Sequence, residues 1–251
     1  AGNKVQVFLM DIKVSGSVPS SGRRIATLNP STLAVESIGS ALPQGSYTWD
    51  NPDPNGADET APVLWGNALL TDGGYTYVYG EWQRPGWGFD KRTFVARAPS
   101  GTLTDPNTWT YWSTGNTWSS SSNQLIQVAD RSLNTVIKTA NGYVTADIDT
   151  FNGNSTLNKQ LRTYRAAAPT GPWVIDTATP TTTYQIPDDA SLGLTAPYKA
   201  YLPQLHPYIT NPANSGQILA SWSSDYDTDW AGLNLKYGYR PRFTWVTVSQ
   251  L

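Results

Sequence analysis

The chain lacks cysteine altogether, and charged residues make up only 14% of its 251 positions. The missing cysteine excludes a disulfide framework, a thiolate zinc site and a thiol nucleophile. The 17 basic and 19 acidic residues nearly balance, so no positive field attracts nucleic acid or an anionic membrane. No apolar run approaches the ~20 residues that a membrane-spanning helix needs. We therefore expect no nucleic-acid partner and no membrane partner.

Aromatic and turn-forming residues are abundant in this sequence. It contains 11 Trp and 14 Tyr among few charges, a composition typical of exported proteins that act on polysaccharides, and it predicts a secreted, extracellular protein. Glycine (21 residues) and proline (18 residues) are spread along the whole chain instead of marking one linker. This distribution predicts a single all-β domain over residues 1–251, with many turns.

Alternating apolar and polar residues predict β-strands, and turn signals join these strands into hairpins. The segments 63–82, 132–149 and 205–224 each contain two strand-like runs around a glycine-containing turn. A third strand follows each hairpin, and a fourth follows the first two. Four antiparallel strands per unit is the plan of a β-propeller blade, with a spacing of roughly 70 residues that exceeds the common propeller repeats.

The two ends of the sequence predict incomplete blades. Residues 4–13 and the two strand-like segments after them match the second, third and fourth strands of a unit. The last segment, 239–248, matches a third strand with no fourth strand after it. We therefore expect a propeller of which this chain supplies about three and a half blades.

The sequence resembles the secreted actinobacterial five-bladed β-propellers, a family long described as a domain of unknown function that includes endo-D-arabinanases. The resemblance rests on these segments, in order: WGNALLTDGGYTYVYG, FVARAPSGTLTDPNTWTYWS, AAAPTGPW, HPYIT, GQILASWS and YRPRF. It implies a five-bladed propeller with a central funnel in which paired carboxylates cleave furanoside polymers. It also implies a further N-terminal portion, either on a second chain from the same precursor or missing from an abridged relative.

Side chains at the heads of the first strands are the predicted ligand-binding set, because the first strand of each propeller blade lines the central channel. The set consists of Asn67, Asp130, Arg131, Gln204 and His206. Glycoside hydrolysis needs one carboxyl group as the acid and a second as base or nucleophile. Asp130 is the first candidate, although an Asp that caps its own turn fits the same pattern.

Glu81 and Asp90 are the candidates for the second carboxylate. Glu81 ends a predicted second strand beside Trp82, whose ring would favour the protonated acid. The alternative is a loop carboxylate that pairs with Arg84 or Arg92. Asp90 lies in the same loop and has the same alternative.

Trp82 and Trp87 are predicted to bind sugar. Both belong to EWQRPGWGFD, residues 81–90, a segment rich in glycine and proline that offers the rings little to pack against. Flat rings on a loop suit the apolar faces of sugars. A lid folded onto the next blade is the alternative.

His206 is the only histidine, and the following Pro207 confines its backbone to the extended region. Three roles fit this residue. It could adjust the protonation of a neighbouring carboxylate, hold a structural Ca²⁺ or other ion in the channel, or form a hydrogen bond within the core. A zinc centre of His and Cys ligands is excluded.

These features favour a secreted glycoside hydrolase that acts on a furanose-containing, arabinan-like polysaccharide through paired carboxylates. The alternative is a non-catalytic propeller that binds carbohydrate or another partner. A serine nucleophile is disfavoured, because no G-x-S-x-G elbow is present.

Overall fold

The computed structural model describes residues 4–11, 22–50, 57–85, 90–148, 160–176, 183–185, 198–226 and 240–248. The chain divides into two compact units, Ala1–Ser132 and Leu133–Leu251, each built from antiparallel β-sheets. The helical structure in the described ranges is one 3-10 turn, Pro106–Thr108. No helix in these ranges is long and apolar enough to span a membrane. The all-β prediction is therefore confirmed.

The first unit contains a three-stranded sheet, a hairpin and a five-stranded sheet. The three-stranded sheet consists of β1 (Val5–Asp11), β2 (Gly22–Leu28) and β3 (Val35–Ile38). The hairpin consists of β4 (Ser46–Trp49) and β5 (Glu59–Pro62). The five-stranded sheet contains β6 (Leu64–Asp72), β7 (Tyr75–Gln83), β8 (Lys91–Pro99), β9 (Thr110–Ser113) and β10 (Thr117–Ser119), paired in sequence order.

The second unit contains two antiparallel sheets. One consists of β11 (Val136–Thr139), β12 (Gly142–Ile148), β13 (Gln160–Ala166) and β14 (Val174–Ile175), with β15 (Thr183–Gln185) also paired to β13. The other consists of β16 (Tyr198–Asn211), β17 (Asn214–Tyr226) and β18 (Arg240–Thr247). The three predicted hairpins and the strands after them are therefore present, while β4, β5, β10 and β15 were not predicted.

The core of the first unit is formed by one face of β7 and β8 and by large aromatic side chains. Successive residues of a strand point to opposite faces, and Val78 and Trp82 of β7 lie on the buried face with Phe94 of β8. Trp82 is fully buried, and its ring meets Tyr47 edge-on at 5.4 Å between centroids. The prediction that Trp82 is a sugar platform is wrong, because β7 continues through it and directs its ring into the core.

A β-bulge interrupts β6. The pairs Trp65–Gly80 and Ala68–Tyr79 are consecutive, so Gly66 and the residue after it are inserted between them. Gly66 has a φ of +101°, and a Cβ at this position would lie 2.3 Å from Cδ1 of Phe8. Glycine is required here for both reasons. The second of the two inserted residues is Asn67.

Candidate functional site

The Glu81 carboxylate is the centre of a polar cluster in the first unit. Its side chain is only 12% exposed. Oε1 lies 2.8 Å from Nζ of Lys91. Oε2 accepts a hydrogen bond of 3.0 Å from Nδ2 of Asn67 and a second from Oγ of Ser132. We call these four residues, Asn67, Glu81, Lys91 and Ser132, the Glu81 site.

Strand register brings Lys91 to this carboxylate. Glu81 on β7 lies opposite Thr93 on β8, and Gln83 lies opposite Lys91. Glu81 and Lys91 are therefore diagonal neighbours on one face of the sheet, a separation that long side chains span. The ion pair between Glu81 and Lys91 therefore results from the pairing of β7 with β8.

The segment before Ser132 is held along β8 through Thr93. The amide of Thr93 donates to the Ala129 carbonyl at 2.9 Å, and the amide of Val128 donates to the Thr93 carbonyl at 2.8 Å. Oγ1 of Thr93 also donates to the carbonyl of Arg131 at 2.5 Å. These bonds fix the path of the segment, so that Ser132 reaches Glu81.

A second cation lies in the field of Glu81. Burial lowers the pKa of the Arg23 guanidinium, and the negative charge of Glu81 acts in the opposite direction. Nε of Arg23 is buried and has no hydrogen-bond partner in the described part of the chain. Glu81 thus has three direct partners, Lys91, Asn67 and Ser132, and interacts electrostatically with the charge of Arg23.

Asp130 lies two residues before Ser132, and its side chain is 63% exposed. Nε and Nη2 of Arg131 donate to the same oxygen, Oδ1, at 3.0 and 2.7 Å. Oδ2 of Asp130 has no partner among the residues that the structure describes. Two residues of chain span at most about 7 Å, so the Cα atom of Asp130 lies within that distance of the Cα atom of Ser132.

Asp90 is paired within its own loop and strand. Its Oδ1 forms an ion pair with Nη1 of Arg92, and its Oδ2 lies 4.0 Å from Nη1 of Arg84. Arg84 in turn makes a bidentate contact with Glu59, at 2.8 and 2.9 Å. Asp90 therefore follows its alternative as a loop carboxylate paired with Arg92 and Arg84, whereas the ion pair of Glu81 is with Lys91.

A family model described as "Domain of unknown function (DUF5005)" matches residues 1–248. The chain belongs to the DUF5005 family. No curated protein matches the sequence. Among solved structures, the chain is similar to the levansucrase of Bacillus subtilis, with 9% identity and a TM-score of 0.46. That match covers 98% of this chain and 65% of the levansucrase chain, so the chain spans less than two thirds of that structure.

The predicted binding residues of the second unit are tied to polar neighbours in this DUF5005 chain. Oε1 of Gln204 accepts a 2.5 Å hydrogen bond from Oγ1 of Thr135. Nε2 of His206 lies 2.8 Å from Oγ of Ser221 on the neighbouring strand. Of the three roles considered for His206, the structure shows hydrogen bonding to a side chain. In the described ranges no three His, Asp or Glu side chains are grouped to hold a metal ion.

Sequence reasoning missed two of the donors to Glu81 in the DUF5005 domain, Lys91 and Ser132, and the electrostatic interaction with Arg23. Lys91 starts the strand that follows the Glu81 strand, so an assumed antiparallel register would have suggested it. Ser132 directly follows Asp130 and Arg131, which were predicted, but its contact depends on the bonds to Thr93. Trp87, the second predicted platform residue, lies outside the described residues.

Proposed function

We propose that this protein is a secreted glycoside hydrolase that cleaves a furanose-containing, arabinan-like polysaccharide, with Glu81 and Asp130 as its catalytic carboxylates. The resemblance of its blade-like segments to propellers that include endo-D-arabinanases supports the substrate class. The antiparallel sheets of three and four strands support a five-bladed propeller architecture, which is part of the proposal together with the single domain over residues 1–251.

The observation that carries the proposal is the hydrogen bond from Ser132 to Glu81. It joins the best-enclosed predicted carboxylate to the segment that bears Asp130. Paired-carboxylate glycosidases place their two groups about 5 Å apart for retention or about 6.5–9.5 Å apart for inversion. The two-residue step from Ser132 to Asp130 is compatible with both spacings.

The contacts suggest different roles for the two carboxylates. Both oxygens of Glu81 accept from donors, Oε1 from Lys91 and Oε2 from Asn67 and Ser132. Lys91, Asn67 and Ser132 hold both oxygens in place beside the segment that bears Asp130, so we assign Glu81 as the nucleophile or base. With Glu81 as nucleophile or base, the proton donor to the leaving oxygen is by elimination Asp130, whose Oδ2 is open to solvent and to substrate.

Neighbouring groups would orient the substrate. The Arg23 guanidinium, whose charge interacts with that of Glu81, would add positive potential beside the bound sugar. Arg131 holds Oδ1 of Asp130 from one side and leaves Oδ2 free to turn towards the glycosidic oxygen.

The experiment is a digestion assay beside a binding assay on the same polysaccharides. Purified protein is incubated with arabinan, arabinogalactan and, as a pyranose control, xylan, and released reducing ends and oligosaccharides are measured. The Glu81→Gln variant, purified identically, reports any contaminating hydrolase. Product from arabinan by the native protein alone supports the proposal. Binding without product in affinity electrophoresis would instead make the protein a non-catalytic carbohydrate-binding module.

A further inference from the structure

A cluster of rings around an arginine lies on the sheet of β7 to β10. The guanidinium carbon of Arg97 lies 4.1 Å from the ring centroid of Tyr75 and 4.1 Å from that of Trp118. Two contacts of this length place the cation in favourable cation–π geometry with both rings. Holding the planar group in this way fixes the direction of its N–H donors.

Two further rings extend the surface around Trp118. Tyr77 lies 6.0 Å from it between centroids, at an interplanar angle of 55°, and Trp112 lies 5.2 Å from it at 59°. These tilted arrangements leave the rings without face-to-face stacking on each other. All four rings and the arginine are partly exposed. We call Tyr75, Tyr77, Arg97, Trp112 and Trp118 the Arg97 cluster.

Arg97 has no carboxylate partner within the described ranges. Its one hydrogen bond there is a long one, 3.4 Å from Nε to Oγ1 of Thr110. By contrast, Arg84, which directly follows β7, is paired with Glu59, and Arg92 on β8 is paired with Asp90. Four of the five guanidinium N–H groups of Arg97 therefore remain for a ligand.

The Arg97 cluster is separate from the Glu81 site, although β7 carries both. Tyr79 lies between Tyr77 and Glu81 on that strand face, and its side chain is fully buried, as is that of Val95 opposite to it. A ligand on the rings therefore meets no continuous open surface along the strand towards Glu81.

We propose that the Arg97 cluster is a binding site for an acidic saccharide. A uronate carboxylate is held bidentately by the Arg97 guanidinium, and the sugar ring lies against the partly exposed rings of Trp112 and Tyr77. The cluster combines a single cation with four rings. One cation among four rings fits a ligand made of sugar rings that each carry one carboxylate. Sites that bind acidic peptides contain several arginines instead. The binding does not depend on catalysis at Glu81.

The test compares an acidic polymer with its neutral ester on the intact chain. Affinity for polygalacturonate and for fully methyl-esterified polygalacturonate is measured by affinity electrophoresis and calorimetry at low salt. The proteins are the native chain, Arg97→Gln, Arg97→Lys and Trp118→Ala. Lys4→Gln is the control, because it removes one exposed positive charge just before β1, away from the sheet of the Arg97 cluster. Thermal melting confirms that each variant is folded.

We expect the native chain to bind the acidic polymer at least about tenfold more tightly than its ester, because a charge-assisted bidentate pair is lost with the carboxylate. Arg97→Gln should lose the same factor, and Arg97→Lys should lose most of it, since an ammonium lacks the planar fork. Lys4→Gln should change affinity less than twofold.

Three results would overturn the proposal. The first is equal binding of the acidic polymer and its ester by the native chain, a comparison that needs no variant. The second is unchanged affinity of a folded Arg97→Gln protein. The third is binding of poly-glutamate as tight as that of polygalacturonate and equally sensitive to Arg97→Gln, which would assign the cluster to an acidic peptide.

Discussion

Nδ2 of Asn67 donates to Oε2 of Glu81 over 3.0 Å, and this bond joins the bulge of β6 to the end of β7. The bulge exists because Gly66 adopts a φ of +101° beside Phe8. An amide side chain therefore reaches the candidate catalytic carboxylate through a backbone conformation that only glycine adopts readily. The stability of the bulge and the position of Asn67 depend on the same residue.

Gly66→Ala should lower the free energy of unfolding by about 2–5 kcal/mol. The alanine would have to adopt a positive φ, and its Cβ would clash with the ring of Phe8. The measurement is urea denaturation followed by tryptophan fluorescence. Gly74→Ala is the control, because Gly74 also has a positive φ, +80°, but has no atom within 4 Å of an added Cβ. That variant should lose only about 1–2 kcal/mol. Equal losses in the two variants would contradict the role of the Phe8 contact.

The ion pair between Arg84 and Glu59 should make stability depend on pH in the acid range. The hydrogen bonds from Arg84 lower the pKa of the Glu59 carboxyl in the folded protein. A carboxyl whose pKa is lower in the folded than in the unfolded protein stabilises the fold at pH values above its unfolded pKa of about 4.3. This stability is lost as the pH falls through the lower pKa of the folded state.

The measurement for this pair is the melting temperature of the native chain and of Glu59→Gln from pH 7 to pH 2. Native protein should melt higher at pH 7, and the difference should shrink below about pH 4.3. Arg84 also lies over the Trp49 ring at 4.0 Å, and that contact is unaffected by acid. A difference that persists unchanged to pH 2 would show that the charge of Glu59 is not what stabilises the hairpin of β4 and β5.

Tyr111 should make stability depend on pH in the alkaline range. Burial raises the pKa of its hydroxyl to about 12, and the hydroxyl has no hydrogen-bond partner among the described residues. In the unfolded state this hydroxyl ionises at about pH 10. The stability that the raised pKa of Tyr111 contributes is therefore complete below pH 10 and is lost as the pH rises towards 12.

Tyr111→Phe tests this directly, because it removes both the ionisation and a buried hydroxyl without a partner. The variant should be as stable as the native chain or more stable at pH 7. Its stability should also fall less between pH 10 and pH 12, as measured by urea denaturation at each pH. A steeper alkaline loss in Tyr111→Phe than in the native chain would contradict the assignment.

Strands and turns were predictable because their signals are local. The run Thr71–Gly74 between two alternating segments forms a hairpin turn in which Gly73 and Gly74 both have positive φ, as such turns require. The strands of the three hairpins follow from the same alternation of apolar and polar residues.

The direction of individual side chains at strand ends was not predictable. A shift of one residue reverses the face on which a side chain lies. The segment after Glu81, with one proline and two glycines, suggested a loop where β7 continues to Gln83. Trp82 therefore faces the core instead of solvent. Lys91 and Ser132 reach Glu81 through strand register and through bonds to Thr93, which are long-range consequences of folding that no local motif contains.

The most direct measurement is the turnover of arabinan by Glu81→Gln and Asp130→Asn, with Glu36→Gln as a control that removes an exposed carboxylate elsewhere. Each catalytic variant should lose at least about 100-fold in turnover while remaining folded. Asp130→Asn should retain much more activity on an aryl furanoside, whose leaving group needs no proton, whereas Glu81→Gln should lose both activities. Native-like turnover of arabinan by folded Glu81→Gln would contradict the account.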